Sequence, residues 1–449
     1  MSAQTHEGRE SSRPKSGEAP FQPGEGFYSR TDERGIILSG NEVFHRVGAY
    51  PWSELLGAPH KLVRHPDMPK GVFWIFWNDL KAGQVTGAYV KNLAKDGLYY
   101  WVFAIAAPTS EGFISARIKP MSEKFQNVPR MYARALQREK QDGLSAEQSA
   151  EAILADLKDL GFNSYREFIL NALGDEVHAE TNALGLPPPK RVQSSQDLFL
   201  MANALAEETY ELVAQFEKLF HIPRNLQILS TRLEATGGPL SVLCQNYNGI
   251  SIEMQNWFAR NVSGDQNMFT QITKAAGDSL LLLSAAEILH RCSEQLAAER
   301  RHLEGIDIEA EREYLNALTA EYQAKSQEAY AMVEDYARRI YDACHSMRRM
   351  LSGLDTIRIA FKIENARVAA ADGGIAGAIE RLNATQVKCE ELRMNIQQRA
   401  NEITRTAHDL SEFSIKDVNE LLVYGPAMAN ALKAQERERL AVASSAVSA

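Results

Sequence analysis

Two hydrophobic periods divide the chain. Between Phe27 and Pro120, apolar and polar residues alternate in short runs rich in aromatic and β-branched side chains. Turn residues recur at close intervals, a pattern that predicts strands. Residues 27–31 and 36–38 read as two short strands across a tight turn at 32–35, with Gly35 able to take positive φ. A helical stretch carrying Val43, Phe44 and Val47 follows, then a loop, then an amphipathic helix near residues 70–82. Residues 87–94 and 98–107 form a hairpin over Lys95, Asp96 and Gly97, and residues 112–120 supply a further strand. Strand, strand, helices, then antiparallel strands make an α+β domain.

After Pro120 the strand period is lost. Residues 121–184 alternate helical pieces with breaks such as Gly161-Phe162-Asn163-Ser164, and Leu186-Pro187-Pro188-Pro189-Lys190 is a linker. From Ser194 the helical period dominates. Leu198, Met201, Leu205, Leu212, Phe216 and Leu219 form one packing seam, and Leu315, Leu318, Tyr322, Ala329, Met332 and Tyr336 a second. A third repeats by heptads through Leu382, Cys389, Ile396, Ile403 and Leu410. Gly305 ends a helix and Asp307 caps the next. These seams predict an antiparallel helical bundle or coiled coil. A short internal similarity pairs residues 229–234 before Gly237-Gly238 with residues 359–364 before Gly373-Gly374. A paired glycine between helical runs suits a hairpin bend, and two such hairpins would make a four-helix bundle.

The expected organisation is a disordered tail at 1–24, an α+β domain at 25–120, and a helical connector with its Pro-rich linker at 121–192. A helical bundle at 193–413 and short helices with a disordered tail at 414–449 complete it. The tail expectation rests on a Ser-, Gly-, Pro- and charge-rich composition with sparse apolar residues.

Composition narrows the function classes. The 449 residues are 45% hydrophobic and 24% charged, as in an ordinary globular protein. A net charge of −9 argues against a nucleic-acid partner. The longest apolar runs, Val72 to Trp77 and Leu280 to Leu283, fall far short of the ~20 residues of a membrane span. No export signal is legible, so a cytoplasmic location is expected. Cys244, Cys292, Cys344 and Cys389 are widely spaced, which fits reduced thiols and no zinc cluster. No Ser-His-Asp, Cys-His or paired-carboxylate arrangement is legible from spacing, so a non-enzyme with no catalytic residues and no metal site is expected. A histidine kinase or cyclic-dinucleotide enzyme would need nucleotide-binding glycine boxes or an acidic Gly-Gly loop. Gly373-Gly374-Ile375 lacks those acids.

The most informative run is Arg64-His65-Pro66-Asp67-Met68-Pro69-Lys70. Its two prolines fix the backbone ahead of the 70–82 helix. Arginine suits an anionic or carbonyl-rich ligand, an imidazole can stack or hydrogen-bond, and Trp74 and Trp77 add flat apolar surface. The plainer reading of the same run is a helix start with a solvated Arg and His.

Residues 27–120 resemble a PAS domain, and closely the sensory PAS domain of bacterial aerotaxis receptors. The resemblance is carried by Asn41-Glu42-Val43-Phe44, Gly48, Tyr50, Glu54-Leu55, Gly57, Pro59-His60 and the run Val63 to Lys70. It continues through Phe73, Trp77, Lys81, Gly83, Val90-Lys91-Asn92, Lys95-Asp96-Gly97 and Tyr100-Trp101-Val102. It implies an antiparallel five-stranded sheet with flanking helices and a redox sensor holding non-covalent FAD. Carried over residue by residue, the flavin-associated positions are Arg64, His65, Asp67 and Trp77, with Asn92 a further candidate. One departure is Thr86, near which family members often carry a Trp. A haem sensor is the alternative ligand reading, with His60 or His65 as axial ligand. A third reading is a scaffold dimerised by its PAS domain without a redox cofactor. Residues 231–238 and 363–374 faintly resemble the hairpin tip of chemoreceptors. That implies partners in a chemotaxis histidine kinase and its adaptor, with Glu364 and Arg367 near the contact, and the coiled-coil reading of the seams adds an expected homodimer.

Overall fold

The computed structural model describes residues 13–233, 238–263, 267–298, 305–368 and 374–412. The elements run β1 (Phe27–Asp32), β2 (Ile37–Gly40), α1 (Glu42–Gly48), α2 (Trp52–Leu55), a 3-10 turn at His60–Val63, α3 (Lys70–Lys81), β3 (Thr86–Leu93), β4 (Tyr99–Thr109) and β5 (Gly112–Ile118). Helices follow: α4 (Val128–Gln141), α5 (Ala146–Asp159), α6 (Tyr165–Ala183), α7 (Lys190–Leu233), α8 (Pro239–Asn261), α9 (Met268–Ala298), α10 (Ile308–Val368) and α11 (Gly374–Glu412). No helix among the described residues is long and apolar enough to cross a membrane.

The five strands form one antiparallel sheet in the order β2-β1-β5-β4-β3. The expected α+β architecture, with helices flanking the sheet and a helical remainder, is therefore present. The β1–β2 turn closes as its residues dictate. Asp32 Oδ1 accepts the backbone N–H of Arg34 and of Ile36, each at 2.9 Å, and Gly35 takes φ 77°. The inner face of the sheet meets α1 and α2 over a core that includes Phe27, Phe44, Val47, Trp52, Leu55 and Val102.

The segment before β1 departs from its composition. Residues 13–24 pack along the sheet domain, with Ala19 and Phe21 buried. Ala19 N–H donates to the Tyr99 carbonyl at 2.7 Å, and Arg13 pairs with Asp96 at 2.6 Å. Only two apolar side chains, Ala19 and Phe21, are buried there, too sparse a pattern to stand out in a polar stretch.

Helices α4–α6 cover the outer face of the sheet. Tyr89 stacks on Phe125 at 5.5 Å and Trp101 meets the same ring edge-on at 5.4 Å. At Gly87 a Cβ would lie 2.6 Å from Ile169 Cγ2, so only glycine admits α6 this close. Helix α3 has no side-chain cap of its own. Glu139 of α4 supplies one, accepting the Lys70 N–H at 2.6 Å and the Ser149 hydroxyl at 2.6 Å. Beside it, a Cβ on Gly71 would sit 2.5 Å from the Ala150 nitrogen, so only glycine lets α3 pack this close against α5. Near β1, Glu311 of α10 holds Arg30 at 2.9 Å.

The described chain divides into two compact units. The first holds the sheet, α1–α6 and residues 278–326; the second holds 197–277 and 327–412. Within the second, Phe216 of α7 meets Phe258 of α8 at 5.0 Å, and Trp257 donates to Ser346 of α10 at 3.0 Å. Arg399 of α11 pairs with Glu208 of α7 at 2.7 Å. Leu382, Cys389, Ile396, Ile403 and Leu410 are all buried. The α10 seam keeps Leu315, Leu318, Tyr322 and Ala329 but then moves to Val333, Ala337 and Ile340, leaving Met332 48% exposed. Three-four steps from Ala329 reach either 332 or 333, and the apolar run alone does not choose. Of the internal repeat, residues 229–233 fall in α7 and 359–364 in α10, while 234–237 and 373 lie outside the described residues, as does the 414–449 tail.

Glu176 of α6 is fully buried and gathers four donors: Tyr89 OH at 2.7 Å, the N–H groups of Met121 and Ser122 at 2.5 and 2.9 Å, and Ser122 Oγ at 2.6 Å. Glu176→Ala strands all of them, so we expect a loss of about 3–5 kcal/mol by analogy with a broken buried pair. Chemical denaturation checks this; a loss below ~1 kcal/mol would show that water replaces the carboxylate.

Candidate functional site

A cavity of about 190 Å³ opens between α3, the 59–64 segment and the inner face of the sheet. Strand alternation decides its lining. From β1 come Ser29 and Thr31, from β5 Phe113, Ser115 and Arg117, from β4 Ala104 and Ala106, and from β3 Val90 and Asn92. The two alanines stand where larger residues would fill the hole. Helix α3 adds Phe73, Phe76, Trp77 and Leu80, a helical stripe facing the sheet. Trp77 meets Phe113 edge-on at 5.3 Å.

Three of the five expected site residues converge here: Arg64, Trp77 and Asn92. The Arg64 guanidinium lies over the Phe73 ring at 3.6 Å. Asn92 is buried in the same wall. His65 and Asp67 are placed elsewhere. Residues 64 and 65 lie extended along β3: Arg64 bridges to Asn92, and His65 N–H donates to the Lys91 carbonyl at 3.2 Å. Neighbouring residues of an extended segment face opposite ways, so Arg64 turns inward and His65 turns out. Asp67 pairs with Lys91 at 2.6 Å, and its N–H donates to His65 Nδ1 at 3.1 Å. Asp67 lines a separate cleft with Tyr99, Trp101 and Lys140. These two residues pin the loop that presents Arg64. Trp74, on the other side of α3, is 37% exposed and outside the cavity.

The polar heart of the cavity escaped the sequence reading. Arg117, 5% exposed, donates through Nη1 to Ser29 Oγ at 2.8 Å and to the Ser115 carbonyl at 3.2 Å. Its Nη2 meets His60 Nε2 at 2.9 Å. The guanidinium is always a donor, so that nitrogen is the acceptor and the imidazole proton sits on Nδ1. Burial, then the charges of Arg117 and Arg64, push the His60 pKa down to about 3. Burial likewise lowers Arg117 to about 10, which leaves it charged at neutral pH. Ser115 Oγ is buried without a hydrogen-bond partner. The signal was present in β5: Phe113, Ser115 and Arg117 alternate with Ile114, Ala116 and Ile118, so a wholly apolar face runs beside a polar one.

The donor set suits a flat ring with carbonyl and imide edges. Arg117, Asn92 and Ser115 offer hydrogen bonds along one wall, while Trp77, Phe73, Phe76 and Phe113 offer apolar surface. Among the described residues no group of His, Cys, Asp and Glu is arranged to hold a metal ion.

The sheet with α1–α3 against its inner face resembles a PAS domain, and its sequence is similar to that of an aerotaxis receptor. Over 109 residues the chain is 39% identical to the aerotaxis receptor of Escherichia coli (strain K12), a match covering 23% of this chain and 22% of that receptor's length. No family model matches the chain. Similar solved structures include a PAS domain from Colwellia psychrerythraea, at 16% identity and TM-score 0.19, over 21% of this chain and 85% of that one. They also include the LOV domain of a blue-light activated histidine kinase from Erythrobacter litoralis, at 11% identity and TM-score 0.19, over 20% of this chain and 89% of that one.

The His60 shift has a pH consequence. Between the ordinary value of 6.5 and about 3, the unfolded chain binds a proton that the folded one refuses. This contribution to stability is complete above pH 6.5 and drains away as pH falls toward 3. His60→Gln should therefore flatten the decline in unfolding free energy measured from pH 7 down to 4. Parallel profiles for the two proteins would show that His60 is not the titrating group.

Proposed function

We propose that this protein is a non-enzymatic PAS redox sensor that holds a flavin, FAD by resemblance, with its ring in the inner-face cavity. It passes the redox state to its helical units in aerotaxis-type signalling. The observation that carries this reading is the buried, charged Arg117 set beside Asn92 and an unpartnered Ser115 hydroxyl, across the cavity from the aromatic stripe of α3. The similarity to the aerotaxis receptor covers this same domain and supports the signalling class.

A bound flavin would supply reversible electron uptake at a ring whose charge and hydrogen bonding change with redox state. The chain's own residues do the rest. Arg117 and Asn92 direct hydrogen bonds at the polar edge of the ligand, and Ser115 can donate or accept as the ring requires. Trp77 and the phenylalanines of α3 cover the apolar part and keep water out. Arg64, stacked on Phe73 at 3.6 Å, stands in the cavity wall as a further cation toward a phosphate-bearing ligand. His65 and Asp67 act through loop position and not by ligand contact. At about 190 Å³ the cavity suits a ring system, and the remainder of a dinucleotide would lie outside it.

Haem is the second reading, and one observation weighs against it. His60 Nε2, the atom an axial ligand would offer, already faces Arg117 Nη2 at 2.9 Å. A chemotaxis histidine kinase with its adaptor, homodimerisation and a cytoplasmic location belong to the same proposal.

The purified protein should be yellow, with a flavin spectrum that bleaches on reduction. A Soret band would replace flavin by haem, and a colourless folded protein that refuses added FAD would leave the scaffold reading. Trp77→Ala should lower flavin occupancy several-fold with helicity unchanged by circular dichroism. His65→Ala should lower it less. Equal losses would return His65 to the ligand-contacting set.

A further inference from the structure

We infer that the outer face of the sheet carries a second small-molecule site, in the cleft between α4 and strands β3 and β4, and that it takes an aromatic carboxylate. The cleft has a volume of about 690 Å³, within the size range of ligand pockets. It shares no lining residue with the inner-face cavity, so the inference stands apart from the flavin reading.

The walls of the cleft follow from two periodicities. On the sheet, Lys91 and Trp101 are register partners and Tyr99 lies two residues from Trp101, so all three stand on one face. On α4, Tyr132, Ala133, Leu136, Gln137 and Lys140 recur at three-four spacing along one side of the helix. The helix touches the sheet through Tyr132. Its hydroxyl donates to the Tyr89 carbonyl at 3.0 Å, and its ring lies 5.9 Å from that of Trp101. Beside that contact, Ala133 and Gln137 leave the wedge open, and both are exposed.

The polar groups left over in the cleft are donors. Trp101 is 8% exposed, yet its indole N–H donates to nothing among the described residues. A buried indole ordinarily finds a partner, as Trp257 does in Ser346 at 3.0 Å. Nor is the Trp101 nitrogen sealed from outside, as the Trp52 indole nitrogen is. Asp67, the one carboxylate of the lining, is answered by Lys91 at 2.6 Å. Lys91 also lies over the Tyr99 ring at 4.7 Å, which holds it in place. Lys140 makes neither an ion pair nor a hydrogen bond among the described residues. One ammonium and one indole N–H therefore remain beside a wall of aromatic and aliphatic surface. A carboxylate accepts from both, and the ring that carries it covers Trp101, Leu136 and Ala133. A neutral ring would leave the ammonium unanswered, and an aliphatic acid would forgo the stacking. Lys140 stands exposed in the last turn of α4, so its share of the affinity is a few-fold and not decades.

The test is isothermal titration calorimetry of the full chain with 2-naphthoate, taken to about 1 mM free ligand. Saturable binding is expected, about two- to fivefold tighter than that of 2-naphthamide, which keeps the rings and lacks the charge. Lys140→Gln should weaken 2-naphthoate by about the same factor and leave 2-naphthamide unchanged. Ala133→Trp, at an exposed helical position, should fill the cleft and abolish binding of both. These results are expected equally of yellow and of colourless protein, so they do not turn on the flavin. No saturable binding of 2-naphthoate overturns the inference, and so does equal affinity for acid and amide. Unchanged binding in Lys140→Gln and Ala133→Trp also overturns it, and loss in Arg117→Gln alone would move the ligand to the inner-face cavity. Should Ala133→Trp not fold, the acid and amide titrations of Lys140→Gln still decide.

Discussion

The constraint from which the rest follows is that a sheet exposed on both faces must be covered on both, and here the two covers differ in kind. The outer face is covered largely by aromatic packing: Tyr89, Phe103, Phe125 and Phe168 interlock, and Glu176 gathers the polar groups they would otherwise strand. The inner face is left incomplete. Ala104 and Ala106 leave a hole beneath α3, and Ser29, Ser115, Asn92 and Arg117 line it with polarity that a closed core would not tolerate.

The strands, the 70–81 helix and the heptad seam of α11 were legible because each is set by local periodicity. Gly35 and Asp32 announced their turn, and Asp307 its cap: its Oδ1 accepts the Ala310 N–H at 3.2 Å. What failed to show depends on tertiary choice. Ala19 and Phe21 help anchor the 13–24 segment by burial that composition cannot weigh. Met332 and Val333 are equivalent in an apolar run until neighbouring helices select one. In the loop, the motif Arg64-His65-Pro66-Asp67 looked like one functional cluster, but the extended backbone splits it across two sides of β3. The cavity's cation comes from β5, more than fifty residues on, and no motif links it to His60; register alone brings them together at 2.9 Å.

The same contacts bear on how a ligand could be felt outside the cavity. Helix α3 supplies Phe73, Phe76 and Trp77 to the ligand wall, and its first turn is capped by Glu139 and wedged on Ala150 through Gly71. It therefore cannot shift without changing the α4–α5 contacts, since a Gly71 backbone this close leaves no slack for sliding. On β1, Ser29 touches Arg117 inside while Arg30, the next residue, holds Glu311 of α10 outside. A change in charge at Arg117 thus lies one residue of strand alternation from an ion pair on α10. Spatial closeness alone does not make a pathway. What gives this arrangement physical content is that Arg117 meets no anion of its own among the lining residues, so the energy of the cavity depends on the charge of what fills it. The strands and α3 share that energy directly, and any second arrangement of α3 or β1 with a different guanidinium position would be favoured or disfavoured by the ligand's charge in proportion to it.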